Sequence, residues 1–130
     1  MILGLGIDVV EVARIRRLVG EGAPAGTAER FLARCFTEGE RRFCDARADR
    51  ATPYAARFAA KEAAVKALGA PPGVRWTDVE VERDGGAPRL RLAGAAARAA
   101  GERGVTRVHL SLTHDAGVAA AVVVLEGGGT

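Results

Sequence analysis

The chain has 130 residues and a formal net charge of +3, enough for one domain with a real core and too mild a charge to imply nucleic acid. Hydrophobic residues make up 48% but aromatics only 5%, so close packing on alanine is expected in place of a bulky aromatic core. No apolar run reaches the roughly 18 residues of a spanning helix, and Met1–Gly6 lacks the basic start of a secretory signal, so a cytoplasmic protein with no membrane partner is expected.

Residues 2–10 read as a strand: Ile2, Leu3, Leu5, Ile7, Val9 and Val10 surround Gly4 and Gly6, with Asp8 near its end. Glycine weakens a strand, so Gly4 and Gly6 predict close approach of another backbone or of a ligand. Residues 11–19 follow as a short helix with Val12, Ile15, Leu18 and Val19 inward and Arg14, Arg16 and Arg17 on a basic side. A loop spans 20–26. A helix over 29–36 places Phe31, Leu32 and Cys35 on one stripe. Thr37-Glu38-Gly39-Glu40 has the pattern of a capping box and starts another helix, expected to run to about Arg47. Cys35 and Cys44 have no paired histidines beside them and read as buried thiols.

The next helix is expected over 53–68, with Thr52 as N-cap and Pro53 at the first helical position. Gly69 closes it, and Pro71-Pro72 prevent its continuation. Phe58, Glu62, Lys66 and Gly69 fall on one face at helical spacing.

Beyond Pro72 the period changes from 3.6 to 2. Val79 and Val81 alternate with Glu80 and Glu82, and Leu90 and Leu92 with Arg89 and Arg91, around the turn residues 84–88. This predicts a hairpin. An alanine-rich helix over 95–103 comes next, then a strand over 107–112, a turn at 113–117 and an apolar strand over 118–125. The pattern gives an α+β fold: one domain over residues 1–126, about five antiparallel strands with helices on one face, and a flexible tail at 127–130.

Three places carry candidate chemistry. Asp8 reads first as a turn or N-cap aspartate, and alternatively as a metal-ligating carboxylate at the rim of a sheet. Glu62, with Arg57, Lys61 and Lys66, reads as a charged helix surface or as an ion and phosphate site. A hard cation such as Mg²⁺ takes one or two carboxylates plus phosphate oxygens and water, which Asp8 and Glu62 supply only if strand and helix pack together. Ser111-Leu112-Thr113-His114-Asp115 contains a serine, a histidine and an aspartate. A hydrolase triad is rejected, because no Gly-x-Ser-x-Gly elbow is present and adjacent His and Asp do not form a relay. His114 is left as a local hydrogen-bonder or a phosphate donor, and His109 as structural.

Taken together, Gly6-Ile7-Asp8, Arg14, the run from Phe58 to Gly69 containing Lys61-Glu62 and Lys66, and Ser111-Leu112-Thr113-His114 resemble the holo-acyl-carrier-protein synthases. These form the short bacterial class of 4′-phosphopantetheinyl transferases, and the resemblance runs from residue 4 to residue 124. Many members have Ser-His where this chain has Thr113-His114, a change that keeps the hydroxyl.

The resemblance implies the fold of that family. It also implies transfer of phosphopantetheine from coenzyme A to a serine of apo-acyl carrier protein, serving fatty acid synthesis or, as the alternative, polyketide synthesis. On it, Asp8 and Glu62 bind Mg²⁺ and, with Lys66, form the catalytic set. Arg57, Lys61, Lys66, Gly86, Pro88 and His114 lie near the coenzyme, and Arg14 and Arg17 face the carrier protein. A homotrimer with active sites between subunits is implied as well.

Overall fold

The structure, a computed structural model, describes residues 1–20, 22–83 and 85–128. Its organisation follows from the alternation along the first strand, β1 (Ile2–Glu11). Gly6 and Val10 face inward and are buried, while Leu5, Ile7 and Val9 face outward. β1 pairs antiparallel with β5 (Val118–Gly127), and β5 pairs antiparallel with β4 (Val105–Asp115), giving the order β1-β5-β4.

On the inner face lies α4 (Ala51–Ala67). A Cβ at Gly6 would sit 1.8 Å from the carbonyl oxygen of Ala63, and one at Gly4 would sit 2.2 Å from that of Ala67. Both glycines therefore mark a close approach of backbones, as their sequence context predicts, and the partner is this helix. α4 is buried on nearly all sides, and its alanines let neighbours close in from each direction.

Helices α1 (Val12–Val19), α2 (Thr27–Cys35) and α3 (Glu38–Asp45) complete this layer. An aromatic chain joins them to α4: Phe36 lies 4.7 Å from Tyr54 between ring centroids, and Phe58 lies 5.4 Å from Trp76. The capping box at α3 forms as predicted. The Glu40 amide donates to Thr37 Oγ1 at 3.2 Å, and the Thr37 amide donates to Glu40 Oε1 at 3.0 Å.

The start of α4 differs from expectation. Asp49, not Thr52, caps it, accepting from the Ala51 amide at 3.2 Å and from the Thr52 hydroxyl at 2.6 Å. Pro53 sits in the first turn, where its missing N–H has no partner to lose. The five strands are antiparallel as expected but divide into two sheets. β2 (Val79–Glu82) and β3 (Arg89–Leu92) form a separate hairpin, preceded by a short 3₁₀ turn at Trp76–Asp78. α5 (Gly94–Glu102) connects it to β4.

β4 continues to Asp115, so Thr113 and His114 are strand residues and the turn is only Ala116-Gly117. Both turn residues have positive φ (51° and 79°), the backbone that joins two twisted strands in a tight hairpin. Gly127, expected in the tail, ends β5 and exchanges hydrogen bonds with Met1 at 3.0 Å. The remaining tail residues Gly129 and Thr130 lie outside the described residues, as do Glu21 of the expected loop and Asp84 of the expected turn.

The outer face of the three-stranded sheet carries matched rows: Leu5, Val124 and His109; Ile7, Val122 and Ser111; Val9, Ala120 and Thr113. Leu5 is 66% exposed, and Ile7 and Val9 are each 60% exposed. Among the described residues, no helix covers this face.

Candidate active site

The contact of β1 with α4 brings Asp8 to Glu62. Asp8 lies on the inward side of β1, two residues past Gly6, and Glu62 lies one residue before Ala63. Asp8 Oδ1 accepts from Lys66 Nζ at 2.9 Å, and the same ammonium donates to the Ile7 carbonyl at 3.1 Å. Asp8 Oδ2 is buried and accepts from no donor among the described residues. The Glu62 carboxyl has a raised pKa, first because it is partly buried and second because the Asp8 carboxylate stands beside it. Arg14 and Lys66 oppose that shift.

Two carboxylates in contact repel when both are ionised. A hard divalent cation removes the repulsion and satisfies the orphaned Asp8 oxygen, so these residues fit Mg²⁺. Among the described residues, no group of three or more His, Cys, Asp or Glu side chains gathers at one point. A cation here would take its other ligands from a phosphate-bearing substrate and water, the habit of Mg²⁺.

A second feature is a cleft of about 690 Å³ lined by Arg47, Arg57, Arg83, Thr113 and His114, among others. It is bounded by the segment after α3, the first half of α4, the end of β2 and the end of β4. Arg57 is 3% exposed. Its guanidinium lies 4.1 Å above the Phe43 ring, one Nη donates to the Pro53 carbonyl at 3.4 Å, and Nε is buried with no acceptor among the described residues. Burial lowers the Arg57 pKa; Cys44 and Glu40 oppose that shift, and the charges of Arg83 and Arg47 add to it in smaller measure. With Asp49 as the one carboxylate on its wall among the described residues, three guanidiniums give this cleft a positive lining that suits an anion. His114 and Thr52 also line an adjoining cleft of about 400 Å³ beside Arg16 and the Ala116-Gly117 turn.

The sequence-predicted residues fall into three groups. Asp8, Glu62 and Lys66 come together, and Arg57 and His114 share the basic cleft. Arg14 and Arg17 are exposed on α1, and Arg14 is near enough to influence Glu62. Gly86 and Pro88 lie in the hairpin turn past Arg83 and do not line the cleft.

Lys61 is a correction. It is 0% exposed, and its ammonium donates to Glu40 Oε1 at 2.7 Å, to the Trp76 carbonyl at 3.1 Å and to the Val79 carbonyl. All three donors are used inside the core, so Lys61 has none for a coenzyme. Sequence reasoning missed Arg47 and Arg83. Arg47 carries no local signal, whereas Arg83 does follow directly on the alternating run of β2.

The sequence profile described as the 4′-phosphopantetheinyl transferase superfamily matches residues 4–123. The chain belongs to that superfamily. A holo-[acyl-carrier-protein] synthase of Anaeromyxobacter sp. (strain K) is 69% identical over 129 residues, covering 99% of each chain. One of Myxococcus xanthus is 54% identical, covering 98% of each. Among solved structures, a holo-(acyl-carrier-protein) synthase of Bacillus anthracis in complex with CoA (3′,5′-ADP) superimposes with a TM-score of 0.76. It is 34% identical and the match covers 98% of this chain and 99% of that one. Within this phosphopantetheinyl transferase, the carboxylate pair and the basic cleft stand at two stations of α4. Arg57 and Glu62 are about 7.5 Å apart along the helix axis at 1.5 Å per residue.

Proposed function

We propose that this protein transfers the 4′-phosphopantetheine group of coenzyme A to a serine of apo-acyl carrier protein and releases adenosine 3′,5′-bisphosphate. The observation that carries it is the meeting of Asp8 and Glu62 beside Lys66, on the same helix as a cleft of three arginines. In the reaction the serine oxygen forms a bond to the phosphorus next to pantetheine. The bond from that phosphorus to the bridging oxygen breaks, that oxygen leaves with adenosine 3′,5′-bisphosphate, and the serine proton passes to solvent. Phosphoryl transfer of this kind asks the protein chiefly for positioning and charge stabilisation.

Asp8 and Glu62 would hold Mg²⁺, which when bound neutralises pyrophosphate charge. Lys66 uses two of its three donors in the protein, and its side chain is 55% exposed. The remaining donor can meet a phosphate oxygen and stabilise the departing one. Arg47, Arg57, Arg83 and His114 offer the positive field that the 3′-phosphate of the nucleotide requires. Arg14 and Arg17 form no ion pair among the described residues, leaving them for an acidic carrier surface.

We further infer a homotrimer and a cytoplasmic location. A sheet face with Leu5, Ile7 and Val9 outward, beside Val122 and Val124, is a surface that a second copy of the same chain would cover. Asp8 and Glu62 do not line the basic cleft of their own subunit, which is consistent with a site completed by a neighbour. No helix among the described residues is long and apolar enough to cross a membrane.

The test is to incubate the protein with coenzyme A, Mg²⁺ and apo-acyl carrier protein and to weigh the carrier by mass spectrometry. A gain of one phosphopantetheine group is expected. Coenzyme A cleaved with no gain would make the protein a pyrophosphatase, and neither change would make it a binding module.

A further inference from the structure

The buried ion pair Lys61–Glu40 is not explained by the chemistry above. Both side chains are fully excluded from water. Such a pair is a weak source of stability, because desolvating two charges costs about as much as their attraction returns. It does fix geometry. Lys61 Nζ holds the carbonyls of Trp76 and Val79, and Glu40 Oε2 accepts from the Val81 amide at 2.9 Å. The hydroxyl of Thr37, whose capping box includes Glu40, donates to Glu80 Oε2 at 2.5 Å. The N-terminus of α3, the middle of α4 and the whole of β2 are thereby locked to one another.

Both ends of this lock lead to the basic cleft. Arg57 precedes Lys61 by one helical turn on α4, and Arg83 follows Val81 by two residues at the end of β2. Among the described residues the β2–β3 hairpin has no ladder with the three-stranded sheet, so its placement rests on side-chain packing, with Val79, Val81, Leu90 and Leu92 against the core, and on these side-chain bonds.

We propose that Lys61 and Glu40 are positioning residues for coenzyme recognition, setting the spacing of Arg83 from Arg57 across the cleft. The proposal rests on the reading that this cleft takes the 3′-phosphate of coenzyme A. It goes beyond that reading by assigning specificity to two side chains that touch no substrate.

The experiment compares the wild type with Lys61→Met/Glu40→Leu, an apolar replacement of similar volume that leaves no buried charge unpaired. Circular dichroism checks the fold, and KM and kcat are measured with coenzyme A and with 3′-dephospho-coenzyme A. A lost positioning contact should raise KM for coenzyme A about tenfold with kcat within about threefold. KM for the dephospho form should hardly move. A folded double variant whose two KM values stay at wild-type levels, or rise in equal proportion, would overturn the proposal.

Glu40→Gln, which loses the charge and turns one of the two acceptor oxygens into a donor while keeping the side chain's shape, is measured in parallel and should narrow the preference for coenzyme A. If the double variant does not fold and Glu40→Gln keeps the full preference, the pair is structural only. A wild type that does not distinguish the two coenzymes would refute the cleft reading itself, before any variant is compared.

Discussion

Asp8 and Glu62 turn their carboxyl groups toward each other where β1 crosses α4, and Lys66 satisfies only one oxygen of the pair. The buried Asp8 Oδ2 is left without a partner among the described residues. Asp8→Asn or Glu62→Gln should cost at least ~10²-fold in turnover, about 3 kcal/mol of transition-state stabilisation. The same variants should lose binding of Mn²⁺, used as a paramagnetic probe for Mg²⁺, by electron paramagnetic resonance. Turnover within tenfold of wild type would remove either residue from the site.

Gly6 is what permits that meeting. Alanine there would drive its Cβ into the Ala63 carbonyl, and a backbone cannot yield as a flexible side chain can. Gly6→Ala should destabilise the fold by about 1–3 kcal/mol, the range for overpacking, and weaken Mn²⁺ binding. Gly101, in α5 with open space around it, serves as the control. Gly101→Ala should be neutral or stabilising by up to about 1 kcal/mol in urea denaturation. Equal behaviour of the two variants would show that the strand–helix approach is not as tight as described.

The uncovered sheet face predicts assembly. Sedimentation equilibrium should give three copies for the wild type, and Ile7→Glu, at the middle of the apolar rows, should give the monomer with its secondary structure intact. A monomeric wild type with full activity would refute the shared-site reading.

Cys44 provides a test of the core. Burial pushes its thiol up to about 12 from an ordinary value near 9. The thiol should therefore resist an aromatic disulfide reagent at pH 8 until the protein unfolds. The unfolded chain releases this proton near pH 9 and the folded one does not. The unfolded state binds fewer protons above pH 9, and stability falls from there toward pH 12. Cys44→Ala should reduce that alkaline slope by up to about 1.4 kcal/mol per pH unit. An unchanged slope would assign the loss to other groups, such as Tyr54, whose pKa is also raised by burial.

What could be read in the amino-acid order was whatever local chemistry determines. The Thr37–Glu40 box, the period-2 hairpin and the Gly4 and Gly6 approach all rest on neighbours within a few positions, or on the absence of a side chain. Lys61 was misread because its fate depends on Glu40, far along the chain, and on two carbonyls. Its neighbours Glu62 and Lys66 look no different from it in sequence. Asp49 was passed over as a cap because Thr52-Pro53 gave a stronger local pattern, yet the side chain of Asp49 reaches both the Ala51 amide and the Thr52 hydroxyl. Arg47 and Arg83 enter the basic cleft through tertiary placement alone.

β5 is the middle strand of its sheet and the last of the five in the chain, and neither β1 nor β4 has another backbone partner in that sheet. During translation, β1 must leave the ribosome with Leu5, Ile7 and Val9 bare and wait until β5 has been made before its ladder can form. Folding is therefore bound to be dominated by distant pairings and to be slow. Until β5 joins it, the edges of that first strand are open to pairing with another chain.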